Sequence, residues 1–172
     1  GDRKDALGRI LLLGPTPAWE AHVSTAASDL GIGGKNILIG SVHGLILEVL
    51  GFELGSIRPR PVDAARVPEG VDTLVRVAAL NSRKSGKKGL EALAAFYEEF
   101  VTRLHLNGES AEIEEWAGGL PSTFKGARKD PLMWPLLAYV RILLEPGDLF
   151  EHVIVDEAQD LSLFECVKYF SI

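Results

Sequence analysis

The sequence predicts an α/β chain: a parallel sheet interrupted by a mostly helical insertion. Three observations carry this. Short apolar runs stand at 10–13, 37–39 and 153–155, each ending at turn-forming or charged residues. Between the first two lies a stretch of helical period, and a second follows, which gives strand–helix–strand–helix order and implies right-handed crossovers. After residue 51 the composition changes, and the strand pattern returns only near the C-terminus.

In order, "RILLLGPT" reads as a buried strand stopped by Gly14-Pro15. A helix is expected from Pro17 to Leu30, with Pro17 suited to a first turn. Trp19, Val23, Ala26, Ala27 and Leu30 form its apolar face. "NILIGS" is the second strand, and "HGLILEVLG" a short helix closed by Gly51. Residues 52–89 are rich in Pro, Gly, Arg and Lys and show no long periodic run; within them "VDTLVRVAAL" reads as a strand or a short helix. "GLEALAAFYEEFVTRLHL" is the clearest helix, with a stripe of Leu90, Leu93, Tyr97, Phe100 and Leu104. "SAEIEEWAG" predicts a short helix capped by Ser110, with Ile113 and Trp116 inward. "STFKGARK" reads as a basic loop. "DPLMWPLLAYVRILL" predicts a helix with Asp130 at the N-cap, Pro131 at the first position, and a first turn delayed or bent by Pro135. "HVIV" is the third strand, and "SLFECVKYF" a last helix. The expected division is 1–51 for the first part of the α/β unit, 52–145 for the insertion and 146–172 for the return.

Composition bounds the function. The 172 residues suffice for one domain, or one and a small subdomain, and 47% are apolar. No apolar run approaches the roughly 20 residues that span a bilayer, and no secretory signal is visible. The single Cys166 excludes an internal disulfide and suits a reducing cytosol. A net charge of −6 argues against indiscriminate electrostatic binding to nucleic acid. The chain begins with Gly1 and its one Met is Met133, which predicts a piece of a longer protein.

The chemistry concentrates in "HVIVDEAQD", residues 152–160. Folding alone gives no reason to crowd Asp156, Glu157 and Asp160 after so apolar a run. Carboxylates at the C-terminal end of a central parallel strand sit where open α/β sheets bind ligands. An Asp there can hold Mg²⁺ through hard oxygen and water, and a following Glu can polarise an attacking water. The plainer reading is that Asp156 and Asp160 cap the following helix. Two basic stretches, Arg83, Lys84, Lys87 and Lys88, then Lys125, Arg128 and Lys129, read either as solvated loops or as contacts to nucleic-acid phosphates or an acidic protein surface.

"VIVDEAQD" resembles motif II, the Walker B element, of UvrD/Rep-type superfamily 1 helicases. The resemblance implies a partial RecA-like P-loop NTPase domain. By position it makes Asp156 the Mg²⁺ ligand, Glu157 the catalytic base within the ATP site, and Gln159 the residue coupling the nucleotide site to its neighbours. "GSVHGLILEVLG" is similar to motif Ib: His43 and Gly44 match, while Ser41 and Val42 replace Thr and Phe. "ILLLGPTPAW" stands where motif Ia belongs, with Thr16 as its best match. These loops imply single-stranded or forked DNA near Thr16, Ser41 and His43. The Gly14-Pro15 stretch, the following helix ending in Leu30-Gly31, and the Leu-rich helix before motif II look more like the HelD subgroup, whose members bind RNA polymerase and help recycle it. The resemblance covers the α/β parts; 52–129 aligns with nothing.

A P-loop is not present. "GIGGKN" has Asp29 where the first glycine of Gly-x-x-x-x-Gly-Lys-Ser/Thr is required, and Asn36 where Ser or Thr is required. The expectation is therefore a fragment of an ATP-dependent helicase, inactive as an ATPase alone, with Mg²⁺ and ATP belonging to the full-length parent. The alternatives are a HelD-like RNA-polymerase-binding factor whose insertion is a protein-binding arm, and a degenerate motor serving as a scaffold.

Overall fold

The computed structural model describes residues 10–32, 34, 36–51, 67–106, 110–145 and 152–157. The three expected strands form: β1 (Ile10–Gly14), β2 (Ile37–Ser41) and β3 (His152–Val155). They make one sheet of order β2-β1-β3, parallel throughout. In register, Leu11 stands beside Leu38 and Val153, and Leu13 beside Gly40 and Val155. The expected helix at 162–170 lies outside the described residues.

Helix α1 (Pro17–Asp29) joins β1 to β2, and α2 (Val42–Leu50) follows β2. From β1 the chain steps one way to β2, then back past β1 to β3. With right-handed crossovers, that reversal puts α1 on one face of the sheet and the later helices on the other. The core agrees: Leu11, Leu13, Val153 and Val155 pack with α2 and the later helices. Helix α1 touches β1 and β2 but contributes no buried residue. Of its expected apolar face, Trp19, Val23 and Ala27 are half-buried. Ala26 is exposed and Leu30 is 74% exposed, because α1 lies over only two strands of a narrow sheet.

The stretch 71–84 settles as helix α3 (Val71–Lys84), so the expectation that 52–89 holds no long periodic run is overturned. Its inward stripe is Val71, Val75, Ala78, Ala79 and Ser82. The small side chains of this stripe let α3 lie close on α4 (Gly89–Leu106). Ser82 then donates its hydroxyl proton to the Ala92 carbonyl at 2.7 Å. Between the same helices Asn81 donates to Glu99 at 3.0 Å, and within α4 Arg103 pairs with Glu99 at 2.7 Å. These bonds, Asn81 first, hold the Glu99 carboxyl below its ordinary value.

Helix α4 buries Ala92, Leu93, Phe96, Tyr97, Phe100 and Leu104, whereas Leu90 is 41% exposed and leaves the expected stripe. The Phe96 and Phe100 rings stack at 5.5 Å. Helix α5 (Ala111–Gly118) starts at the expected Ser110 cap, with Ile113 buried and Trp116 edge-on to Phe100 at 6.2 Å. The expected basic loop contains a single helical turn, α6 (Phe124–Ala127), capped by Thr123. Asp130 caps a 3₁₀ turn, Pro131–Met133, by accepting from the Leu132 amide at 3.0 Å. Pro135 then falls in the first turn of α7 (Trp134–Leu144). That helix buries seven consecutive residues, Trp134 to Val140, and touches α2, α3 and α4. Sheet and helices thus share one hydrophobic core. No helix among the described residues is long and apolar enough to cross a membrane.

Tyr97 supplies a test of this packing. Its hydroxyl donates to the Pro121 carbonyl, and burial, with a smaller contribution from Asp130, pushes its pKa up to about 12. Unfolded, the phenol titrates near its ordinary value of about 10. The stability it contributes is therefore complete below pH about 10 and is lost as pH rises towards about 12. Tyr97→Phe should cost about 1 kcal/mol at neutral pH, by leaving the carbonyl unpaired. Denaturation midpoints measured from pH 9 to 12 should then fall more steeply for the native protein than for the variant. Parallel curves would contradict this account.

Candidate functional site

The C-terminal ends of the three strands lie side by side, and the strand order reverses at β1, the kind of place where open α/β sheets bind ligands. At the end of β3 the Asp156 amide donates to the Leu13 carbonyl at 2.9 Å, carrying the ladder one step past the strand. This fixes the backbone of Asp156 beside the end of β1. Its carboxylate takes two hydrogen bonds: the Glu157 amide reaches Oδ1 at 3.0 Å, and the Trp19 indole Nε1–H reaches Oδ2 at 2.9 Å. Both Asp156 and Glu157 are exposed. Glu157 has φ of 53°, in the left-handed region that a residue with a Cβ enters at a cost.

The loop after β1 explains how Trp19 arrives there. Thr16 caps α1, its hydroxyl accepting from the Trp19 amide at 3.2 Å, and Pro17 presets the first turn. The indole then folds back over the strand end. A Cβ on Gly14 would sit 2.0 Å from the ring, so only glycine permits this approach. The next residue, Glu20, reaches the other way: its Oε2 accepts from the Ser41 amide at 2.9 Å. Ser41 is 1% exposed and caps α2, its hydroxyl accepting from the Gly44 amide at 3.0 Å. One turn of α1 therefore ties together the ends of all three strands.

Of the residues the sequence singled out, Thr16, Ser41, Asp156 and Glu157 come together at this edge. His43 lies in the first turn of α2. Gln159 and Asp160 lie outside the described residues. The basic residues stand elsewhere. Arg83 and Lys84 end α3, and Lys87 and Lys88 form the turn into α4; all four are exposed. That turn is held to the end of α7, where Glu145 accepts from the Gly89 amide at 2.8 Å and pairs with Arg141 at 3.1 Å. Lys125 is exposed on α6, and Arg128 and Lys129 are exposed just after it.

Gly14, Trp19 and Glu20 escaped the sequence reading. Trp19 was assigned to an apolar helix face by period alone, and periodicity carries no information about which atom an indole N–H will meet. The available signal was a glycine closing a strand five residues before an aromatic.

As for a metal, the described residues hold no group of three or more His, Cys, Asp or Glu side chains. A single carboxylate is nonetheless what Mg²⁺ commonly takes from a protein when water and phosphate complete its shell. Each Asp156 oxygen accepts one hydrogen bond here and keeps a second lone pair, so the donor set fits that pattern.

The backbone at Glu157 gives a prediction separating fold from chemistry. Glu157→Gly removes the left-handed strain, of about 1–2 kcal/mol, against a glycine entropy cost of about 0.5–1 kcal/mol. Stability in urea should stay unchanged or rise by up to about 1.5 kcal/mol. The same change at Glu98, exposed on α4, should lower it by about 1 kcal/mol. Equal losses at both positions would show that residue 157 is not strained.

The chain matches no family model, no curated protein and no solved structure.

Proposed function

We propose that this chain is part of the first motor domain of a UvrD/Rep-type superfamily 1 helicase or translocase, a partial RecA-like fold that couples ATP hydrolysis to movement on nucleic acid. One observation carries the reading: within "VIVDEAQD", Val153–Val155 lie in a parallel strand, and Asp156 and Glu157 follow at its C-terminal edge, where the strand order reverses.

In this reading Asp156 holds the water shell of Mg²⁺. Bound there with ATP, the cation would neutralise phosphate charge during phosphoryl transfer. Glu157 accepts a proton from the attacking water, and Gln159 links the nucleotide site to neighbouring motifs. Thr16 and His43 would approach the nucleic-acid backbone. Ser41 would act by shaping the start of α2, since its hydroxyl is spent on the cap. The sequence contains no Gly-x-x-x-x-Gly-Lys-Ser/Thr stretch, so hydrolysis is proposed for a parent chain that supplies one. A second reading, an RNA-polymerase-binding HelD-like factor, rests on the resemblance of the Gly14-Pro15 stretch and the Leu-rich helix before "VIVDEAQD" to that subgroup. The basic turn at 83–88 would then meet protein rather than nucleic acid.

In the parent, Glu157→Gln should abolish steady-state ATPase activity while sparing binding of a fluorescent nucleotide, because the amide keeps the shape but cannot take the proton. Asp156→Asn should weaken Mg²⁺-nucleotide binding as well. A fully active Glu157→Gln parent would refute the catalytic assignment.

The partner is tested on this chain. Lys84, Lys87 and Lys88 are exposed, so reversing all three should leave the fold intact. If the partner is single-stranded DNA, the reversal should make the log–log salt slope of binding shallower by about 2. Titration of labelled single-stranded DNA, beside a pull-down with core RNA polymerase, decides between the readings. Unchanged affinity for both would leave these lysines as a solvated turn.

A further inference from the structure

We propose that Trp19 is a positioning residue for Asp156: its indole N–H, held over Gly14, fixes the carboxylate in the orientation that receives a divalent cation. The inference rests on the reading of Asp156 given above.

An exposed aspartate at a strand end would ordinarily sample several rotamers. Here its two oxygens are held from two sides, by the adjacent Glu157 amide and by an indole 137 residues distant in sequence. The second lone pairs remain available. The indole is itself constrained. Its amide is capped by Thr16, its ring lies where any Cβ at residue 14 would collide, and the neighbouring Glu20 is tied to Ser41.

The choice of donor is chemically specific. Packing over Gly14 requires only a flat ring, which phenylalanine would supply; the N–H is what distinguishes tryptophan. A lysine or arginine in its place would also orient the carboxylate, but its charge would oppose a cation. A neutral N–H orients without cancelling charge. The same turn joins Thr16, at the proposed nucleic-acid edge, to Asp156, so displacement of the loop would be felt at the carboxylate.

The test uses this chain, labelled with ¹⁵N, and needs no turnover. It has three tryptophans, and the Trp19 indole signal is identified by its loss in Trp19→Phe. Asp156→Asn should shift that signal and leave those of Trp116 and Trp134 in place. Mn²⁺, used as a paramagnetic substitute for Mg²⁺, should broaden the Trp19 signal selectively. Mn²⁺ affinity, read by water-proton relaxation, should fall about tenfold in Trp19→Phe at unchanged melting temperature, the size typical of losing an outer-shell partner. Gly14→Ala, which displaces the ring, should reproduce that loss. Equal Mn²⁺ affinity in Trp19→Phe, or an indole signal indifferent to Asp156→Asn, would overturn the proposal alone. A native protein whose Trp19 signal stays sharp in Mn²⁺ would overturn the cation reading of Asp156 and the proposal with it.

Discussion

The burial of the first seven residues of α7 is the constraint on which the rest of the structure depends. Seven consecutive residues from Trp134 to Val140 are withdrawn from water, so this helix must be surrounded rather than laid on a surface. Helices α2, α3 and α4 supply the surroundings. Each fully buried large side chain contributes about 1.5–3 kcal/mol relative to exposure. At the start of α7 the Trp134 indole donates to the Arg128 carbonyl at 3.0 Å, and Asp130 caps the turn that leads in.

That arrangement decides how the helical segment relates to the sheet. Helix α2 belongs by sequence to the strand–helix repeat, yet its buried residues Val42, Ile46 and Leu50 join the same core as α3, α4 and α7. The helices of 71–144 therefore form the second layer of the sheet as much as an appendage to it. The opposite face is covered more thinly. Helix α1 buries no residue completely, and Ile154 is 56% exposed. The consequence for the site is that its two sides differ. β1 is anchored from beneath by Leu11 and Leu13, while the residues above it come from the first turn of α1.

The strand ends are tied by hydrogen bonds rather than by packing. Adjacent residues of one helical turn reach opposite neighbours, Trp19 to Asp156 and Glu20 to the Ser41 amide. Such bonds contribute modestly to stability, about 0.5–1.5 kcal/mol each, and more where a charged acceptor is involved. Their main effect is geometric: they fix two loops and a carboxylate relative to one another. With the left-handed backbone at Glu157, this edge departs from local conformational preference where a folding argument would not require it.

Much of this was legible in the amino-acid sequence. The three strands, their parallel order, Pro17, Ser110, Asp130 and Gly51 at helix ends, and the carboxylates after β3 follow from local rules, because period, caps and turns are set by residues within a few positions of each other. Other features needed the tertiary structure. The stretch of α3 stood open between strand and short helix, and its inward face is covered only once α4 lies against it. Leu90 left its stripe, and Ala26 and Leu30 at the end of α1 stayed in solvent, because burial depends on which neighbour covers a face and not on the face alone. The contact between Trp19 and Asp156 spans 137 positions and depends on a missing Cβ at Gly14. A pattern within one segment cannot encode a distance between two, so the sequence determined which residues could carry chemistry, and the fold decided which of them meet.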